Sequence, residues 1–263
     1  MPSVLVAVDE KVAGRLIVED VLARPSTPVK LQARLVRDGP KGFVGLGGET
    51  ITFRVHGQKA GSAVTDKDGR AILEFETHMR GNQKIVGEVE TSSRVNPVSG
   101  LGNFASWERR KPILLVDVST LLKGRRASSV GSPPDARTLG EADEDAPREL
   151  TKLGEFYYNI IYLWPGAEEH ILLLRDWLTA HKFPPGITRT VPPEPSLLLA
   201  FIDNLKEGGW DHVEAGIGQT KGFADTLVKN RIKAVIFPDS LKNEKFPHRA
   251  KIISEWKDIR KHL

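Results

Sequence analysis

Near residue 108 the apolar pattern of the chain changes, from alternation with period two to short continuous apolar runs separated by helical spacings, and no single structural class accommodates both. Before the change, Val29, Leu31, Ala33 and Leu35 alternate with Lys30, Gln32 and Arg34, and the pattern recurs through Ile51, Phe53 and Val55 and through Ala71, Leu73 and Phe75. Such runs predict half-buried strands. Asp66, Asp68 and Gly69 punctuate the last two runs, which predicts a hairpin whose carboxylates serve local turn hydrogen bonds rather than calcium. Residues 1–108 are therefore expected to form a small antiparallel sandwich.

After the change, "PILLVDV", "YYNIIYLW", "HVEAGIG" and "KAVIFP" have the composition of buried strands. Between them, "EEHILLLRDWLTAHKF", "PSLLLAFIDNLKEGG" and "TKGFADTLVKNR" carry helical spacing, so residues 109–263 are expected to form a parallel sheet covered by helices. The stretch 123–150, rich in Gly, Ser, Pro and charge, reads as a flexible loop. The tail from Lys242 reads as a basic solvated helix.

Composition narrows the function classes. A chain of 263 residues with 40% hydrophobic and 27% charged residues can bury two cores. Its formal charge of +4 is spread through intermixed acidic and basic residues, which argues against nucleic acid as the partner. There is no cysteine, so disulfides and thiolate metal sites are excluded. Neither a secretory-type leader nor a run of ~18 apolar residues is visible, and a soluble cytoplasmic protein without a membrane span is the expectation. His170, His181, His212 and His248 show no metal-ligand spacing.

In open parallel sheets, ligands bind beyond the carboxyl ends of the strands where strand order reverses. Asp117, Trp164 and Gln219 end or follow apolar strands, with Ser119, Thr220 and Lys221 beside them, so these six residues are the candidate site. "GIGQTKG" also follows a strand and enters a helix, where backbone amides could meet an anion, but a tight strand-to-helix turn is the preferred reading.

Two resemblances sharpen these expectations. Residues 28–90, with the "TDKDGRA" turn and the later "KIVGEVE", resemble bacterial immunoglobulin-like domains. Residues 111–238 resemble the haloacid dehalogenase (HAD) superfamily, specifically bacterial phosphatidate-phosphatase-like proteins that carry an N-terminal immunoglobulin-like domain. The supporting stretches are "PILLVDVSTLL", "YYNIIYLWPGAEEHILLLRDWLTAHKFPPG" and "HVEAGIGQTKGFADTLVKNRIKAVIF", in the family's order. The implied fold is an immunoglobulin-like sandwich followed by a HAD-like, Rossmannoid α/β domain.

The resemblance also implies a chemistry, and the chain departs from it. Asp117 matches the family's nucleophile, but Ser119 stands at the acid/base position, and a serine hydroxyl cannot replace a carboxyl group near neutral pH. Trp164 replaces a small hydroxyl residue, Gln219 a magnesium aspartate, and Phe223 a second acidic residue. These losses imply a pseudophosphatase that binds or scaffolds, with no metal and no cofactor. The alternative is a weak or altered phosphohydrolase using Asp117, for which magnesium would be required. The partner is unknown; the sandwich and the basic C-terminal segment are the candidate surfaces for a protein.

Overall fold

The structure is a computed structural model that describes residues 11–263 apart from 41, 77, 91, 125–138, 167–169, 193 and 239–243. The chain forms two compact units that divide between Ser106 and Trp107.

In the first unit, β1 (Arg15–Val18), β3 (Val29–Gly39), β4 (Gly42–Gly45) and β7 (Arg70–Phe75) form a four-stranded antiparallel sheet, with β7 and β4 pairing successive halves of the long β3. A five-stranded sheet runs in the order β2 (Val21–Ala23), β9 (Val98–Ser106), β8 (Gly81–Val89), β5 (Thr50–Val55) and β6 (Gln58–Val64). Its pairs are antiparallel except β2 with β9. Leu16, Leu31, Leu35 and Ala71 from the first sheet share one core with Ile51, Phe53, Ile85 and Phe104 from the second. The unit is thus a β-sandwich, and the period-two alternation follows from each strand burying one face.

The turn after β6 corrects the expected hairpin. Asp66 Oδ1 accepts hydrogen bonds from Asp68 N and Arg70 N, both at 2.9 Å, so the carboxylate serves the turn. Gly69 has φ +78°, and a Cβ there would collide with Leu35 O. Its carbonyl accepts from Leu35 N at 2.8 Å, which commits the following strand to β3. β6 and β7 therefore lie in different sheets.

In the second unit, six parallel strands run in the order β12 (Ile187–Thr190), β11 (Asn159–Trp164), β10 (Ile113–Asp117), β13 (Val213–Gly218), β14 (Lys233–Ile236) and β15 (Lys251–Ile252). Every residue of β11 is buried, as a strand covered on both faces requires. The helices are α1 (Ala146–Phe156), α2 (Ile171–Ala180), α3 (Pro195–Glu207) and α4 (Lys221–Lys229). α2 packs on β12, α4 on β13 and β14, and α3 on α4.

Two expectations in this unit are corrected. The loop placed over 123–150 is shorter at its C-terminal end, because α1 begins at Ala146 and Leu122 bridges Ala142; its residues 125–138 lie outside the described residues. α1 forms because Ala146, Leu150 and Leu153 share one buried face behind a proline at the helix start. The tail is likewise not a solvated helix. Trp256 and Ile259 are buried in a 3-10 turn (Trp256–Lys261), with the indole 4.9 Å from the Phe237 ring and its Nε1 donating to Thr120 O. The basic residues there are ion-paired, Lys257 with Asp145 and Lys261 with Asp258.

The strongest ionic tie of the tail is to α1. Glu149 is buried and accepts from Arg148 Nε at 3.1 Å, Lys152 Nζ at 3.2 Å and Arg260 Nε at 2.8 Å. Burial works against its charge, but the hydrogen bonds from Lys152, Arg148 and Arg260 outweigh it and hold the carboxyl below its ordinary 4.5. A depressed carboxylate stabilises the fold above its unfolded value and loses that contribution as pH falls through the folded value. Glu149→Gln should therefore cost about 1–3 kcal/mol at neutral pH. Thermal melts should show the deficit shrinking below the ordinary carboxylate range; a deficit independent of pH would contradict the ionic account.

Candidate functional site

β10 sits in the middle of the parallel sheet, and the chain leaves it first toward β11 and later returns to its other edge as β13. The carboxyl ends of β10 and β13 thus flank the crevice that a switch in strand order opens. Asp117 closes β10 and caps the 3-10 turn Val118–Leu121. Its Oδ1 accepts from Ser119 N at 3.0 Å and from Ser119 Oγ, while Thr120 Oγ1 donates to its carbonyl at 2.7 Å. A strand ending in aspartate and followed by two hydroxyl residues is suited to such a turn, because short polar side chains satisfy the freed backbone groups.

Gln219 follows β13 and is 2% exposed. Its Nε2 donates to Ser119 O at 3.1 Å, which fixes the orientation of the amide, since a carbonyl oxygen can only accept. The other amide atom, Oε1, is buried with no hydrogen-bond donor among the described residues. Asp117, Ser119 and Gln219 are thus brought together as one hydrogen-bonded set.

A crevice of about 380 Å³, open mouth included, lies beside this set. Asp117, Leu163, Pro165, Val191, Pro192, Pro195, Leu198, Thr220 and Phe223 line it. Of the six candidate residues, Asp117 and Thr220 are in the lining. Ser119 and Gln219 stand behind Asp117. Trp164 is fully buried and is not a lining residue, because Asp117 pairs in register with Leu163 and successive strand residues face opposite sides. Lys221 does not face Asp117 as a counter-ion; its Nζ pairs with Asp225 and its backbone N donates to Glu244 Oε2 at 3.0 Å. Thr220 Oγ1 caps α4 by accepting from Phe223 N at 3.2 Å. Phe223 reaches the crevice because Gly218 lets the ring approach β13, where a Cβ would collide with it.

The apolar wall was the part missed from sequence. Val191 and Pro192 follow the four-residue β12, and Pro195 and Leu198 open α3, so spacing gives no hint that they meet β10. Leu163 was legible from strand parity.

Burial pushes the Asp117 carboxyl above its ordinary 3.8, and the side-chain and backbone hydrogen bonds from Ser119 only partly oppose the shift. The residues around it do not suit magnesium. One carboxylate oxygen and an apolar wall fall short of the oxygen-rich octahedron that ion demands. Among the described residues no group of three or more His, Asp or Glu is placed to hold a metal. No helix is long and apolar enough to cross a membrane among the same residues.

Fold and site together define a two-unit protein, a β-sandwich followed by a parallel α/β sheet with a carboxylate-based crevice at its switch point. No protein-family model matches the chain, and no curated protein does. Among solved structures, the fibronectin(III)-like modules of Clostridium thermocellum CbhA align over 35% of this chain and 96% of theirs, at 17% identity and a TM-score of 0.23. A sialyltransferase from Photobacterium damsela aligns over 82% of this chain and 41% of its own, at 10% identity and a TM-score of 0.23. A family 123 glycoside hydrolase from Clostridium perfringens aligns over 82% and 58%, at 9% identity and a TM-score of 0.20. Such scores establish neither fold nor activity, and the chain spans less than two thirds of either enzyme.

A raised carboxyl favours the fold while protonated, below its unfolded value, and that advantage is lost as pH rises through the folded value. Ionised Asp117 therefore strains the fold at neutral pH. Asp117→Asn keeps an acceptor for Ser119 and removes the charge, so its melting temperature should rise by roughly 2–4 °C for each kcal/mol relieved. The gain should vanish in acid. A variant that melts lower at neutral pH would show that the charge is compensated.

Proposed function

We propose that this chain is a catalytically degenerate, HAD-like protein whose crevice binds a ligand without turning it over, joined to an immunoglobulin-like domain. The observation that carries the reading is the closed set around Ser119. Asp117 Oδ1 is committed to Ser119, and Gln219 is committed to the Ser119 carbonyl. The positions where the resemblance implies an acid/base and a metal ligand thus hold each other instead of facing the crevice. Phe223 adds a ring to the wall where a second acidic residue is implied. The strand order with β10 central and β11 and β13 on its two edges supports the superfamily assignment. A cytoplasmic setting, and a protein partner met through the sandwich or the C-terminal segment, belong to the same proposal and rest on the sequence alone.

A second reading, a weak phosphohydrolase, draws on one specific observation: Asp117 lines the crevice, and its Oδ2 accepts from no described residue. The two readings separate in a phosphatase assay with magnesium. Binding without turnover predicts hydrolysis of phosphomonoesters at background for the unmodified protein, and no rescue by Ser119→Asp, because Trp164, Gln219 and Phe223 remain. Magnesium-dependent turnover abolished by Asp117→Asn would overturn the proposal.

A further inference from the structure

The polar groups that meet the crevice have a consistent bias. Asp117 Oδ2 has no donor among the described residues, while the unpartnered Oε1 of Gln219 lies behind Asp117, outside the lining. Thr220 Oγ1 offers a further acceptor lone pair. The carboxylate oxygen is therefore the group there that wants a donor.

Charge points the same way. A phosphate or carboxylate would be expected at the N-terminus of α4, where free amides attract anions. Two of its first amides are already taken by acceptors of the protein itself, Lys221 N by Glu244 Oε2 and Phe223 N by Thr220 Oγ1. Lys221 Nζ, next to Thr220 in the chain, is tied to Asp225. An incoming anion would face Asp117, whereas a cation meets a carboxylate with no counter-ion among the described residues. Apart from Thr220, the rest of the wall, Leu163, Val191, Leu198 and Phe223 among it, offers no side-chain oxygen to a hard metal ion and suits an aliphatic body.

Resting on the reading of this crevice as a binding site, we propose that its ligand is a small primary alkylammonium compound, with the ammonium on Asp117 and its stem along the apolar wall. An ammonium supplies the donors that Asp117 Oδ2 lacks, and charge-assisted bonds of this kind are about twice as strong as neutral ones. It also relieves the burial that pushes the Asp117 carboxyl up. The 380 Å³ includes the open mouth, so the space beneath the rim admits only a short stem. Among the described residues Asp117 is the single charged one in the lining, so a monoamine fits better than a diamine, whose second ammonium would lie against proline and leucine.

Calorimetric titration of the full chain tests this with n-butylammonium, 1-butanol, 1,4-diaminobutane and butyl phosphate, while NMR follows the Thr220 and Phe223 amides. The expected result is that n-butylammonium binds, shifts both amides, and exceeds the alcohol, the diamine and the phosphate ester by at least about tenfold in affinity. Asp117→Asn should lose a comparable factor. Equal or tighter binding of any of the other compounds, no binding of the amine, or an amine affinity unchanged in Asp117→Asn would overturn the ligand class. Because the ligand series is run on the unmodified protein, it does not depend on the variant folding. Binding of the alcohol or the ester at the same amides without turnover would leave the noncatalytic reading standing while the amine falls; hydrolysis of butyl phosphate would instead remove that reading.

Discussion

The parallel pairing of β10 with β11 on one edge and β13 on the other is the constraint from which the site follows. Asp117 is opposite Leu163, and Val116 is opposite Ile217, so the ends of three strands reach the same edge together. A slip of one residue would turn Asp117 to the other face and replace Leu163 with Trp164. That register is held by an almost wholly apolar strand triplet, buried through Leu114, Ile160 and Ala215.

The polar residues at that edge then serve the turn rather than solvent. Asp117 caps its own 3-10 turn through Ser119, and Gln219 bridges from the next strand to the same serine. The tail adds a third tie, since Trp256 Nε1 donates to Thr120 O. Residues widely separated in sequence thus converge on Val118–Leu121. The cost falls on Asp117, which lines an apolar crevice with one oxygen satisfied and the other without a donor among the described residues.

How much of this was legible in the sequence depends on the residue spacing. β10, β11, β13 and β14 announced themselves as apolar runs, and α2, α3 and α4 as helical periods. α1 was hidden by the Pro-rich and charged stretch before it, although Leu150 and Leu153 already stood three apart. β12 was too short to show a period. The buried tail was obscured by its lysines and arginines, whose charged ends remain exposed while Trp256 and Ile259 turn inward. In the sandwich, the Asp66–Gly69 turn was legible but not its destination, since turn chemistry does not say which sheet the next strand will join. At the site, Asp117, Ser119, Gln219 and Thr220 could be found from strand ends, whereas Val191, Pro192 and Leu198 required the tertiary structure. Trp164 was misplaced by one step of strand parity.

At the centre of the site is Asp117, an acid with no counter-ion among the described residues, beside an apolar crevice. Carbon-detected NMR titration of that carboxyl, with and without magnesium, tests this most directly. The account predicts a midpoint above the ordinary 3.8 that magnesium leaves unmoved. A midpoint at or below that value, or one drawn down by magnesium, would contradict it.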